Sequence, residues 1–152
     1  MDVKIETLDL RSLFEDVKEE VQLKEGQVAE INIVGELRTL NSDPRILRNI
    51  LINLLSNASK YSEKDKKITI SAESKGNAVE ISIADEGIGI PESDTRHVFD
   101  RFFRASNSGN IQGTGLGLNI VKRYVDLLKG SIWFKSENKK GTIFFVSIPE
   151  RR

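Results

Sequence analysis

The chain has 152 residues, 38% hydrophobic and 30% charged, the make-up of one globular domain with a single core, taken here as residues 1–152. Its 23 basic and 23 acidic residues cancel, which argues against a broad nucleic-acid or anionic-lipid footprint; the basic stretch at 64–67 and the pair Lys139-Lys140 read as solvated turns. With no cysteine there is no disulfide framework and no cysteine-ligated metal, no apolar run nears the ~20 residues of a membrane span, and the N-terminus lacks a signal-peptide profile.

Val3, Ile5 and Thr7 alternate with charged residues and predict a short strand. Leu10, Leu13, Phe14, Val17 and Val21 then recur at helical spacing, with Asp9 as N-cap and Gly26 as the stop. Residues 29–34 read as a strand. Asp43-Pro44 opens a second helix, a capping carboxylate followed by proline at the first helical position, and that helix should run to Tyr61. Strands at 67–74 and 78–84 are joined by a turn at Gly76-Asn77. Residues 85–114 are mostly loop, with a short helix near 92–99; an irregular stretch of that length inside a domain is usually functional or mobile. A helix over 115–128 with Gly130 as C-cap, then strands at 131–136 and 142–148 ended by Pro149, complete the chain. Three helices and about five paired strands predict an α+β two-layer sandwich with the helices on one sheet face.

Four clusters carry the chemistry. On the second helix, Leu47, Ile50, Leu51, Leu54, Leu55 and Ala58 make a core stripe, and Asn53, Asn57 and Lys60 fall together on its flank with Tyr61 nearby. Asparagine is a mediocre helix former, so propensity does not account for the pair. Amide oxygens are hard, neutral donors suited to a Mg²⁺ that takes its other oxygens from phosphates and water. The plainer reading is two surface amides. Asp85 shares strand parity with the core residues Val79, Ile81 and Ile83, so its carboxylate leaves an apolar face and needs a partner, such as the amino group of an adenine. Gly87 and Gly89 after it permit close approach; satisfaction by the loop's own amides is the alternative.

Farther on, Phe99-Asp-Arg-Phe-Phe-Arg104 carries Arg101 and Arg104, which either reach phosphate oxygens or are solvated. Gly113, Thr114, Gly115, Leu116, Gly117 and Leu118 open the third helix, where backbone N–H groups and the helix dipole favour phosphate. No parallel βαβ unit surrounds these glycines and no Gly-Lys-Ser/Thr follows, so they fit neither a dinucleotide fingerprint nor a P-loop. His97, the only histidine, reads as a surface or packing residue rather than a metal ligand or phosphoacceptor, and Trp133 as packing. The four clusters together point to a pocket for ATP and a divalent metal.

In order and spacing these clusters resemble the catalytic, ATP-binding domain of bacterial sensor histidine kinases, in the superfamily that also holds DNA gyrase, the mismatch-repair ATPases and a heat-shock chaperone. Residues 53–62 are similar to the N box, 85–89 to the G1 box, 99–104 to the F box, 113–118 to the G2 box, and Lys140-Gly141-Thr142 to the last glycine-threonine motif. The resemblance covers essentially the whole chain. It implies a Bergerat-type sandwich, a mixed, mostly antiparallel sheet of about five strands on three helices. It implies Asn57 as the Mg²⁺ ligand, Asn53 facing the phosphates, Lys60 binding phosphate, and Tyr61 beside adenine. Asp85 would accept from the adenine amino group, with Gly87, Gly89, Ile90 and Thr142 around it. Residues 113–118 would form the loop that closes on phosphate, and Arg104 would lie near the γ-phosphate, Asn53 and Lys60 joining it in catalysis.

In the hydrolases of that superfamily a glutamate four residues before the metal-binding asparagine activates water. Here that place is Asn53, and a neutral amide is no general base. The resemblance therefore implies phosphoryl transfer to a protein histidine, with a response regulator downstream. A hydrolytic switch, a kinase acting on serine, and a nucleotide-sensing or partner-binding module without phosphotransfer are the alternatives. The family's phosphoaccepting histidine lies on an upstream dimerisation hairpin, which nothing here resembles. The chain thus reads as a catalytic domain alone, monomeric and cytoplasmic, from a family many of whose members are membrane-anchored.

Overall fold

The computed structural model describes residues 2–100, 117–137 and 139–150. Among them three α-helices and seven strands follow in the order β1 (Glu6–Asp9), α1 (Leu10–Glu20), β2 (Val28–Ile33), β3 (Thr39–Ser42), α2 (Pro44–Tyr61), β4 (Lys67–Ser74), β5 (Ala78–Asp85), α3 (Gly117–Leu127), β6 (Ser131–Glu137) and β7 (Gly141–Pro149). A 3-10 helix, Glu92–His97, stands where a short helix is predicted.

Five strands form one sheet in the order β2-β4-β5-β7-β6. Only β2 and β4 are parallel, because α2 lies between them in sequence; β4–β5, β5–β7 and β6–β7 are antiparallel. The period of two decides which face is covered. Ile68, Ile70 and Ala72 of β4, Val79, Ile81 and Ile83 of β5, and Phe144, Val146 and Ile148 of β7 are buried, while their alternates are partly exposed or exposed. The helices bring Leu10, Phe14 and Val17 of α1, Leu47, Leu51 and Leu55 of α2, and Val121 and Val125 of α3 to the same core. The result is the expected α+β sandwich with a mixed, mostly antiparallel sheet. On the other face Trp133 stacks on Phe145 with centroids 5.4 Å apart, packed on one side and open on the other.

Asp43 is fully buried and starts α2. Its carboxylate accepts from the backbone N–H groups of Arg45, Ile46 and Lys4 and from the Arg45 guanidinium. The hairpin β4–β5 turns through Gly76 at φ +73°.

Several boundaries differ from the sequence reading. The first strand is Glu6–Asp9 rather than a run from Val3 to Thr7, and it pairs with β3 in a separate two-stranded sheet. Strand β3 is too short, with Leu40 its only buried apolar residue, to announce itself by periodicity. Helix α1 stops at Glu20, not at Gly26: Val21 turns to an extended conformation while its N–H still reaches the Val17 carbonyl. At the end of α3 the left-handed residue is Lys129 (φ +59°), not Gly130. The N–H of Lys129 reaches the Asp126 carbonyl and that of Gly130 the Val125 carbonyl, a Schellman closure. Gly130 answers a different demand, since a Cβ there would meet the Ser147 carbonyl oxygen at 2.3 Å.

Candidate functional site

The amide flank of α2 faces the start of α3. Asn53 and Asn57 are half-buried, Lys60 is exposed and Tyr61 half-buried. The Asn53 side-chain NH2 donates to the Asn49 carbonyl (2.8 Å), which leaves its Oδ1 turned away from the helix backbone. A Cβ on Gly117 would lie 3.7 Å from that oxygen, 3.6 Å from Asn57 Nδ2 and 3.9 Å from Asn57 Oδ1. Two of the four clusters, distant in sequence, therefore meet side by side.

Asp85 closes the end of β5 on the core-facing side, as its parity predicts. Its Oδ1 accepts from the N–H of Gly87 (2.9 Å) and of Thr142 (3.2 Å). Its Oδ2 has no hydrogen-bond partner among the described residues. Burial pushes the carboxyl up to about 6, against the opposing pull of the Gly87 and Thr142 amides. Loop satisfaction and a spare acceptor therefore coexist in one side chain. The glycines beside it are demanded by contact. A Cβ on Gly87 would meet the Tyr61 carbonyl oxygen at 2.2 Å, and one on Gly141, at φ +135°, would meet the Asp85 carbonyl oxygen at 2.2 Å.

Thus the N-box end of α2, the aspartate–glycine loop and the Gly141-Thr142 start of β7 converge on one end of the sandwich. The loop is held by Ile88 N–H on the Tyr61 carbonyl (3.1 Å) and by Lys139 N–H on the Ile88 carbonyl (2.6 Å). Ser136, which sequence reasoning missed, accepts from Ile90 N–H through its Oγ (2.6 Å) and shares a hydrogen bond with Thr142 Oγ1 (2.8 Å). Asn119, also missed, donates to the Phe99 carbonyl and ties α3 to the F-box start. Phe99 packs edge-on to Phe134 and Phe144. A serine in an alternating strand and an asparagine in the first turn of a helix carry no local signal here; their roles exist only across elements.

Leu118 is half-buried on α3 against the core. His97 is exposed and its Nδ1 lies 2.8 Å from Asp100 Oδ2, as suits a surface residue. Lys64, Lys67 and Lys140 form exposed ion pairs with Glu25, Glu30 and Glu137. Arg101, Arg104, Gly113, Thr114, Gly115 and Leu116 lie outside the described residues.

A mixed sheet under three helices, with an amide-bearing helix and an aspartate–glycine loop at one end, defines a two-layer α/β sandwich. Residues 42–152 match the family described as histidine kinase-, DNA gyrase B- and HSP90-like ATPase, and the chain belongs to that family. The adaptive-response sensory kinase SasA of Synechococcus elongatus is 36% identical over 144 residues, 94% of this chain and 37% of that protein. The chain thus spans little more than a third of that relative's length. Full-length ShkA solved in complex with AMPPNP superposes at a TM-score of 0.85 with 26% identity, over 99% of this chain and 32% of that one. Histidine kinase ThkA in complex with the response regulator protein TrrA superposes at 0.78 with 25% identity, over 98% of this chain and 42% of that one.

Proposed function

We propose that this chain is the catalytic domain of a two-component sensor histidine kinase, binding ATP with Mg²⁺ and passing the γ-phosphoryl group to a histidine on a separate dimerisation hairpin. The observation that carries the reading is Asp85: one carboxylate oxygen is consumed by the loop that shapes the pocket, and the other is left as an acceptor beside two glycines that tolerate no Cβ. An exocyclic amino group of a nucleobase satisfies that oxygen. The AMPPNP bound to ShkA supports a nucleotide as the ligand.

In this reading Asp85 orients adenine, with Tyr61 beside it and Gly87, Gly89, Ile90 and Thr142 forming the surround. Asn57 would hold Mg²⁺. Among the described residues no group of three or more His, Cys, Asp or Glu side chains is placed to hold a metal, so a cation here depends on oxygens that arrive with the nucleotide. Asn53 and Lys60 face the phosphates, joined by Arg104 and by residues 113–118. Bound ATP supplies the transferable phosphoryl group; the protein's part is placement and charge stabilisation. Asn53 favours transfer over hydrolysis, because its NH2 is engaged by Asn49 and its oxygen is a neutral amide that takes no proton from water at neutral pH. The response regulator bound to ThkA supports a response regulator as the downstream partner. The domain would act as a monomer in the cytoplasm.

Calorimetric titration with AMPPNP, with and without Mg²⁺, tests the pocket. Asn57→Ala should lose most of the Mg²⁺-dependent gain in affinity, at least about tenfold or ~1.4 kcal/mol. An Asn57→Ala chain with undiminished Mg·AMPPNP affinity would remove Asn57 from the metal site. Adding a histidine-bearing hairpin and labelled ATP then separates transfer from binding alone.

A further inference from the structure

The end of α2 is held from outside the pocket by two side chains of the segment between α1 and β2. Gln27 is buried. Its Nε2 donates to the carbonyls of Ser59 (3.1 Å), Ser62 (3.2 Å) and Glu63 (3.0 Å). Its Oε1 accepts from Ser59 Oγ (2.5 Å) and from Lys24 N–H (3.0 Å). The Lys24 ammonium donates to the carbonyls of Lys60 (2.9 Å) and Ser62 (2.7 Å). The carbonyl left between these, that of Tyr61, is taken by the N–H of Ile88 in the aspartate–glycine loop (3.1 Å).

Five consecutive carbonyls, 59 to 63, are thereby all claimed, four by Gln27 and Lys24 and the middle one by the pocket loop. A helix C-terminus ordinarily leaves its last carbonyls to water or to a glycine cap. Here the helix has no glycine cap, and Ser62 leaves it in an extended conformation. The turn that carries Lys60 and Tyr61 has its position set by residues 24 and 27. The loop follows that position through the Ile88 N–H on the Tyr61 carbonyl (3.1 Å) and through the close approach of the Gly87 backbone to the same oxygen.

We propose that Gln27 and Lys24 are positioning residues for the nucleotide site, fixing the Lys60-Tyr61 turn and through it the Gly87-Ile88 backbone. The inference rests on the nucleotide reading of the pocket. Neither side chain touches the ligand; both act through main-chain carbonyls.

Gln27→Met keeps length and removes the donors and acceptor. Lys24→Met removes the ammonium donors at an exposed side chain and serves if the first variant does not fold. Each should weaken Mg·AMPPNP binding roughly five- to tenfold through displacement of the Lys60-Tyr61 turn, while Lys24→Arg, which keeps a cation for the same carbonyls, stays within about twofold of wild type. A purely structural cap would leave the pocket loop alone. The second readout is therefore the Ile88 amide, whose NMR shift should move and whose hydrogen exchange should quicken in the Met variants without nucleotide. Folded Met variants that bind as wild type, with an unchanged Ile88 amide, would overturn this inference alone. A folded wild-type chain that binds no AMPPNP would overturn the pocket reading and this inference with it.

Discussion

Asp85 carries an energetic cost in the ligand-free domain. Its carboxyl titrates near 6 when folded and near 3.8 as an ordinary aspartate. The unfolded chain therefore releases this proton first as pH rises. Folding is unpenalised below 3.8, loses stability between 3.8 and 6, and bears the whole penalty above 6, on the order of 2–3 kcal/mol. An amino group donating to Oδ2 favours the ionised form, so nucleotide binding should release protons near pH 6. In Asp85→Asn the single amide oxygen must serve the Gly87 and Thr142 N–H groups, which turns the NH2 toward the place an adenine amino group would take. Urea denaturation at pH 7 should show the variant about 1–3 kcal/mol more stable than wild type, while AMPPNP affinity falls by about 100-fold or more. A variant that gains no stability and binds normally would show that this carboxylate neither strains the fold nor recognises the base. The parity of Val79, Ile81, Ile83 and Asp85 made the direction of this side chain legible beforehand. That Thr142 would supply its second N–H was not, because β7 meets the end of β5 only through the sheet.

At the scale of elements, α1 and α2 begin where short-range chemistry says they should, while the ends of α1 and α3 are decided by packing. Asp9 and Asp43 both cap as read, since a capping carboxylate needs only the N–H groups two or three residues on. Helix α1 ends six residues before Gly26, because the segment that follows is needed against the end of α2. In α3 the left-handed cap falls on Lys129, since the Cβ-free position is required one residue later beneath the Ser147 carbonyl. Lysine at φ +59° is strained relative to glycine. Lys129→Gly should stabilise the domain by about 0.5–1 kcal/mol, read as a higher urea midpoint with an unchanged slope. A lower midpoint would show that the Lys129 side chain contributes more than its backbone costs.

For the molecule as a whole, Asp43 joins the N-terminal segment to the helix that carries the amides. Burial raises its carboxyl, but the Arg45 guanidinium and the N–H groups of Lys4, Ile46 and Arg45 outweigh it and hold it at about 2. Here the folded value lies below the ordinary one, so the stabilisation is complete above 3.8 and is lost as pH falls through 2. These two aspartates act in opposite directions. Together they place their joint stability maximum for the ligand-free domain near pH 4, with an acid limb from Asp43 and a neutral limb from Asp85. Urea midpoints measured from pH 2 to 7 should flatten on the neutral side in Asp85→Asn and on the acid side in Asp43→Asn. The second variant should also lose about 2 kcal/mol at pH 7, because the buried N–H groups keep only part of their acceptor. A profile with the same two limbs in both variants would assign the pH dependence to other groups.

The sequence by itself determined the layer architecture, the capping aspartates, the inward side of Asp85 and the grouping of Asn53, Asn57, Lys60 and Tyr61. Each follows from a period or a bond spanning a few residues. Only the tertiary structure decided which carbonyls Gln27 and Lys24 hold, that Gly117 lies against Asn53 and Asn57, and that Ser136, Thr142 and Ile88 fasten the aspartate loop. It also decided that a lysine would take the left-handed cap of α3. Those contacts join segments far apart in the chain, where no local periodicity reaches, and they arise because polar backbone groups brought together by the core must find partners on folding.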